Sequence, residues 1–388
     1  MIPFLDLKAI NQRFESEFQN SLRLFLDSGY YILGNQVKLF EANFARYCGT
    51  THCIGVGNGL DALRLILEAY KILGKLKEND EVLVASNTFI ATILAIKQAG
   101  LKPVLVETDL DSYNFDLTSL KNAISEKTKA IMPVHLYGQL SPMGEILKIS
   151  KENNLLVIED AAQAIDGEWN GQKLGTFGSM SALSFHETKN IICGEGGALL
   201  INDPAFVQRA EIIREKGTNR SQFMRGMVQK YTWMDIGSSY LPSDMLAAYL
   251  VAQLENMEQI QSRRGEIFTR YYEGLRPLQE SGKLTLPVFS TSSKINYHMF
   301  YFWVESRDVR DELIDFMRER DIQLVFHYQP LHVSPMGMKL GGKEGTLPVT
   351  EDIPHRLLRL PFFYDLTLEE QQRVLSGLFE FFGEEFSK

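Results

Sequence analysis

Three stretches of the chain have residue types and spacing that could share one reaction. The first surrounds Lys189, in "LSFHETKNIICGEGGALLIND", with no acidic residue immediately beside it. A lysine on a turn between two strands is usually solvated. Here it follows His186 and Thr188 and precedes a glycine-rich return, which allows a bound molecule to come close. A lysine becomes a nucleophile when burial or a nearby cation lowers its pKa. The second stretch, "LLVIEDAAQAIDG", puts Asp160 at the carboxyl end of a predicted parallel strand. Ligands in open α/β sheets sit outside those ends. Glu159 and Asp160 point to opposite faces of such a strand and so do not form an acid/base pair. A lone aspartate there is an N-cap or a salt-bridge partner, or it faces a cation such as a protonated ring nitrogen. The third stretch, "GVGNGLDALRLILEAY", is a strand end, three glycines and a helix start. A helix N-terminus offers free N–H groups and partial positive charge to a phosphate, and glycines allow close approach. Taken alone, the cluster reads equally as a tight turn. Its GxGxG spacing differs from the GxGxxG of dinucleotide sites. Together the three supply a phosphate seat, a carboxylate for a ring nitrogen and a lysine able to form a Schiff base. Those are the anchors that pyridoxal phosphate needs.

The elements that must hold these residues are legible as a pattern. From about residue 50 to 215, short apolar runs alternate with amphipathic stretches. Runs such as "EVLVAS", "PVLVET" and "LLVIEDAA" read as strands buried on both faces. The alternation predicts an α/β unit with a mostly parallel sheet. Residues 244–275 read as one long helix, capped by Asp244 after Pro242. Beyond it, "KLTLPVF", "HMFYFWV" and "IQLVFHY" read as strands, "VRDELIDFMRER" as a helix and "TLEEQQRVLSGLFEFF" as a closing helix. The expected division is a large α/β domain over 1–254 and a smaller α+β domain over 255–388.

Composition narrows the classes. The chain has 388 residues, 45% hydrophobic and 23% charged, with a formal net charge of −9. That charge speaks against non-specific nucleic-acid binding. An anionic substrate then requires a local basic patch. The segment 213–231 offers Arg214, Lys216, Arg220, Arg225 and Lys230 against Glu215 alone. The cysteines Cys48, Cys53 and Cys193 are odd in number and irregular in spacing, as expected of reduced thiols in the cytoplasm. No CxxC or HExxH pattern suggests a metal. The start of the chain lacks the regions of a signal peptide, and no apolar run is expected to span a membrane.

Over nearly its whole length the chain resembles the DegT/DnrJ/EryC1/StrS sugar aminotransferases. The motifs that carry the resemblance are "GNGLDAL", "EDAAQA", "GTFGSMSALSFHETKN", "GEGGAL" and "HYQPLH". It implies the aspartate aminotransferase (type I) fold, a homodimer whose subunits share their sites, and a role in deoxyaminosugar biosynthesis. It also implies pyridoxal phosphate as cofactor, which becomes pyridoxamine phosphate in the half-reaction. L-glutamate is the implied donor and a nucleotide-linked keto sugar, dTDP by preference, the acceptor. By position, Lys189 matches the Schiff-base lysine and Asp160 the pyridinium partner. Gln163 matches a contact to the ring oxygen and Phe89 the ring-stacking aromatic. Gly59, Leu60 and Ser184 match the phosphate contacts. Tyr328 and His332 match positions near the substrate, and the role of His298 is left open. A family stretch like "GYNYRMSD" reads "GSSYLPSD" here. Ser239 can still offer a hydroxyl, whereas Leu241 cannot bind an anion, so Arg220 and Arg225 are the replacement candidates for the substrate.

Two sub-patterns within the resemblance differ. "SFHETKN" and "KYTWMDIGSSYLPSD" resemble members that make dTDP-4-amino-4,6-dideoxygalactose. The front half resembles members that aminate C3. His186, expected nearest the reacting carbon, favours C4 and is placed with Lys189 and Asp160 as a catalytic residue. A subset of the family carries histidine at the lysine position and dehydrates its sugar. Lys189 therefore favours transamination over a dehydratase, and over a nucleotide-sugar binding regulator without catalysis.

Overall fold

The computed structural model describes residues 1–386. Three helices open the chain: α1 (Leu7–Arg13), α2 (Glu15–Ser28) and α3 (Asn35–Cys48). The α/β unit follows as β1 (His52–Val56), α4 (Gly59–Ile72), β2 (Glu81–Ala85), α5 (Ile90–Gln98), β3 (Lys102–Val106), α6 (Leu117–Asn122), β4 (Thr128–Met132), α7 (Met143–Asn153) and β5 (Leu156–Asp160). A small ribbon, β6 (Glu168–Trp169) and β7 (Gln172–Lys173), precedes β8 (Met180–Ser184) and β9 (Gly197–Ile201).

The seven-stranded sheet runs β1-β9-β8-β5-β4-β2-β3. Only β9 is antiparallel to its neighbours. Its strands are almost wholly buried except for the edge strand β3, where only Val106 is, and that burial is why they read as continuous apolar runs rather than alternating ones. One consequence positions everything that follows. The ends of β1, β5 and β8 share an edge of the sheet with the start of β9. Gly197 is in register with both Val56 and Ser184.

Helices α8 (Val207–Arg214), α9 (Arg220–Met224), α10 (Asp244–Glu255) and α11 (Met257–Glu280) come next. The long helix expected over 244–275 is thus two, broken at Asn256. Its side chain bonds back to the Ala252 carbonyl, 2.8 Å away, at that break. Asp244 does not cap it. The cap position is Ser243, and the buried Asp244 carboxylate accepts the Val37 N–H at 2.9 Å, serving the first turn of α3 instead.

The C-terminal part holds β10 (Ser293–Lys294), β11 (Tyr301–Trp303), α12 (Arg307–Arg318), α13 (Pro335–Lys339), α14 (Pro348–Arg356), β12 (Leu357–Arg359) and α15 (Leu368–Phe382). A capping box of Thr367 and Glu370 starts α15. The strands expected here mostly shrink. "HMFYFWV" keeps three residues as β11. "KLTLPVF" and "IQLVFHY" keep only isolated bridges, Thr285 to Trp303, Ile322 to Ile2 and Val325 to Arg359. Leu284, Leu286 and Leu324 are buried all the same, so their apolar pattern reports burial rather than ladder pairing. Pro287 has no N–H with which to extend a ladder. Ile2 and Leu5 pack with this C-terminal cluster.

Candidate active site

A cavity of about 580 Å³ opens at the carboxyl edge of the sheet. That lies within the range of small-molecule sites. Its floor is built from the loop and helix after β1, the end of β5 and the turn after β8. Its far wall comes from the C-terminal part, through His298, His327, Tyr328 and Arg359.

Asp160, the last residue of β5, is buried. One carboxylate oxygen accepts from the Thr92 hydroxyl at 2.8 Å, the other from the Ala162 N–H at 3.2 Å. Thr88 lies 2.8 Å behind Thr92, extending the hydroxyl chain. Burial raises the Asp160 pKa, opposed by Thr92, Ala162, Lys189 and His135. Glu159 has an entirely different set of partners, as strand alternation requires. It accepts from the amides of Gly175, Phe177 and Gly178 and meets His135 Nε2 at 3.1 Å. The Ser141 N–H points at His135 Nδ1, so Nε2 carries the proton toward Glu159.

Lys189 sits in a tight turn, its amide donating to the His186 carbonyl at 2.9 Å. Its ammonium makes no hydrogen bond or ion pair among the described residues. Burial lowers its pKa to about 8, and Asp160 opposes the shift. His298 lies beside it, donating from Nδ1 to Asn190 Oδ1 at 2.9 Å. Burial, then Lys189, holds His298 well below the usual histidine range. This histidine is a neutral wall of the cavity with Nε2 left over.

The third anchor is the start of α4. Asn58 caps it by accepting the Asp61 N–H at 2.8 Å. Gly59 and Leu60 line the cavity at the first turn, where N–H groups lack intrahelical partners. Close packing puts Ser184 beside them. A Cβ added to Gly59 would lie 2.9 Å from the Ser184 Cβ. The glycines after Lys189, read in the sequence as clearance for a bound molecule and for the return strand, serve the return strand here. Side chains on Gly196 and Gly197 would strike Cys193 Sγ and the Asn58 carbonyl, at 2.4 and 2.3 Å. They let β9 and its turn pack against the chain itself.

Gln163, Phe89, Tyr328 and His186 also line the cavity. Gln163 is fixed at both ends, accepting from the Tyr137 N–H at 2.7 Å and reaching the Tyr328 hydroxyl at 3.1 Å. Phe89 is half-exposed, its ring centroid 5.5 Å from that of Tyr328. His186 Nδ1 is taken by Thr188 Oγ1 at 3.1 Å, leaving Nε2 free.

Four expected residues are not brought into this cavity. Arg220 pairs with Glu215 at 3.1 Å, and Arg225 is gripped at both nitrogens by Glu211, at 2.7 and 2.6 Å. Glu211 lies just upstream of the basic window, so reading that window alone missed it. Ser239, which the resemblance aligns with a residue reaching the partner subunit's phosphate, pairs its backbone with that of Glu215 in this chain. His332 is buried, with Nε2 on Glu351 at 2.8 Å. Residues that the sequence reading did not single out are Thr88, Thr92, Arg264 and Arg359. Thr92 lies in the first turn of α5, and Thr88 precedes the Phe89 cap position of that helix. No signal existed for the arginines, which reach the site only through tertiary folding.

The residues fit pyridoxal phosphate on the structure's own terms. A buried carboxylate without an ion pair wants a cation. A lysine without a partner wants a bond. A helix N-terminus beside a serine hydroxyl wants an anion. Lys189 would hold the aldehyde carbon, Asp160 the ring nitrogen, and Gly59, Leu60 and Ser184 the phosphate.

The comparisons agree in one direction. The DegT/DnrJ/EryC1/StrS aminotransferase family model matches residues 12–379. The dTDP-3-amino-3,6-dideoxy-alpha-D-galactopyranose transaminase of Aneurinibacillus thermoaerophilus is 38% identical, over 97% of this chain and 99% of its own. The dTDP-3-amino-3,4,6-trideoxy-alpha-D-glucose transaminase of Streptomyces venezuelae is 35% identical, over 98% and 96%. Among solved structures, S. venezuelae DesV in complex with a ketimine intermediate superposes with a TM-score of 0.89. It is 34% identical, covering 100% of this chain and 99% of that one.

Proposed function

Because this chain belongs to the DegT/DnrJ/EryC1/StrS aminotransferase family, with pyridoxal phosphate as its cofactor, we propose that it aminates a nucleotide-linked keto-6-deoxyhexose. The donor is L-glutamate and the preferred acceptor is dTDP-4-keto-6-deoxyglucose, aminated at C4. The observation that supports this reading is the meeting of Lys189, Asp160 and the open start of α4 in one cavity.

Pyridoxal phosphate, when bound, supplies an electron-poor ring that accepts the electron pair left as a proton departs from the donor's α-carbon. The chain's residues do the rest. Lys189, with its lowered pKa, takes that proton and returns one to the sugar carbon. Asp160, held by Thr92 and the Ala162 amide, keeps the ring nitrogen protonated. Phe89 would cover a ring face, and Gln163, locked by Tyr137 and Tyr328, would meet the ring oxygen.

His186 supports C4, since its free Nε2 lies on the cavity wall next to the lysine turn. A second reading is C3, favoured by the two relatives whose names specify a 3-amino product. Incubation with glutamate and each keto sugar, followed by NMR of the product, separates them. An amine at C3 alone would sink the C4 reading. No amino transfer to either sugar would sink the function itself. The enzyme is read as a cytoplasmic homodimer; three buried free cysteines suit a reducing compartment. No described helix is long and apolar enough to cross a membrane.

A further inference from the structure

We propose that Arg359 is the carboxylate-binding residue for the amino donor. The proposal rests on the aminotransferase reading and adds a residue to it.

Arg359 ends β12, whose residues alternate between two sides. Leu358 and Leu360 are buried in the C-terminal cluster, whereas Leu357 belongs to the core that includes the sheet. Period-two alternation puts Arg359 on the side of Leu357, toward the sheet, and the residue lines the cavity. Tyr328, 3.1 Å from Gln163, is electrostatically coupled to both Asp160 and Arg359, and His298 to both Lys189 and Arg359.

The guanidinium is short of partners. One nitrogen donates to the Phe326 carbonyl at 3.0 Å, and Nε is buried with no partner at all. No described carboxylate pairs with it. The side chain is half-buried, with its guanidinium carbon 4.9 Å from the Phe4 ring centroid, and an anion would complete the hydrogen bonding that its buried Nε lacks. The other cations of the cavity are accounted for. Arg13 pairs with Asp365, Lys189 is the nucleophile, and Arg264 donates to the Tyr297 and His298 carbonyls at 2.8 and 2.6 Å. Among the described arginines of the cavity, Arg359 is therefore the one with neither a carboxylate nor a partner for its Nε. The candidate anions are a donor carboxylate and the diphosphate of the sugar nucleotide. The phosphate seat at Gly59 and Ser184 is a separate part of the cavity wall. A flat, two-pronged donor in the cavity that holds the nucleophile suits the planar carboxylate of an α-amino acid.

The test uses the holoenzyme and Arg359→Gln, with Arg359→Lys as the variant that keeps the charge and stem but loses the fork. Steady-state kinetics give KM for glutamate and for the keto sugar separately. Calorimetry with glutarate, a dicarboxylate that cannot react, measures binding without turnover. Arg359→Gln should raise the glutamate KM and weaken glutarate roughly 10- to 100-fold, the range for a lost charged hydrogen-bonding partner. The sugar KM should stay within about twofold, and Arg359→Lys should fall between. The lysine variant also serves if the glutamine variant does not fold. A raised sugar KM with unchanged glutarate binding would overturn the proposal in favour of the diphosphate, and no change in either would overturn it outright. If the wild type transfers no amino group, the functional reading fails; Arg359-dependent glutarate binding would still uphold the anion site.

Discussion

Lys189 carries a pH signature that can be measured directly. Only its neutral amine attacks an aldehyde, and burial lowers its pKa from 10.5 to about 8. Recapture of pyridoxal phosphate by cofactor-free protein should therefore speed up with pH through a midpoint near 8, followed by stopped-flow absorbance. An ordinary solvated lysine would keep the rate rising to beyond pH 10. The same shift has a stability consequence. Between about 8 and 10.5 the unfolded chain binds more protons at this site than the folded one, so this residue's contribution makes the cofactor-free protein more stable as pH rises through that window. Lys189→Ala should lose turnover, together with the visible band that borohydride removes. Thr92 is the second residue to test. Its hydroxyl bonds Asp160 at 2.8 Å and opposes the upward shift of that carboxyl. Thr92→Val should favour the protonated carboxyl and cost about 2 kcal/mol, roughly 30-fold in cofactor affinity. Unchanged affinity by absorbance titration would show that the threonine is only packing.

At the scale of elements, the turn between β8 and β9 brings the anchors together. Gly197 is in register with Val56 and Ser184 and lies against the Asn58 carbonyl. Gly197→Ala would put a Cβ 2.3 Å from that oxygen, so α4 must move off the sheet. Cofactor affinity and melting temperature should both fall. Gly194→Ala is the control, because nothing lies within 4 Å of its added Cβ, although its φ is +83°. It should cost about 1 kcal/mol of stability and leave cofactor affinity in place. Equal loss of affinity in both variants would mean that the turn's conformation, not the seating of α4, holds the phosphate.

For the whole molecule, the segment after α8 is the outstanding feature. Met227, Trp233 and Ile236 are 67%, 79% and 69% exposed, beside Arg220 and Arg225, which stay outside this chain's own cavity. Clustered apolar exposure of this kind marks a surface that another protein covers. A second copy that brings this segment to the neighbouring cavity would make the basic residues useful. Sedimentation velocity should give a dimer, and the paired change Trp233→Asp with Ile236→Asp should shift it toward monomer. A wild-type monomer at micromolar concentration would refute that arrangement. Arg225→Ala should then raise KM for the nucleotide sugar only where the sugar's diphosphate takes Arg225 from Glu211, and an unchanged value would remove Arg225 from the substrate site.

Sequence alone determined the strands and the mostly parallel character of the sheet, though not the strand order, because strands buried on both faces leave continuous apolar runs and glycine-marked turns. It also pointed to the three stretches around Lys189, Asp160 and the start of α4, which follow strand ends and which the fold brings to one cavity. It misjudged the C-terminal part, where Leu284 and Leu324 are buried without strand pairing and periodicity cannot tell burial from hydrogen bonding. Only the tertiary structure decided which charges are free. Arg225 looked available until Glu211 gripped it, and Arg359 looked like any arginine in an apolar run until folding left it in the cavity without a carboxylate. Pairing of charges depends on distances across the fold, and a linear sequence holds none of them.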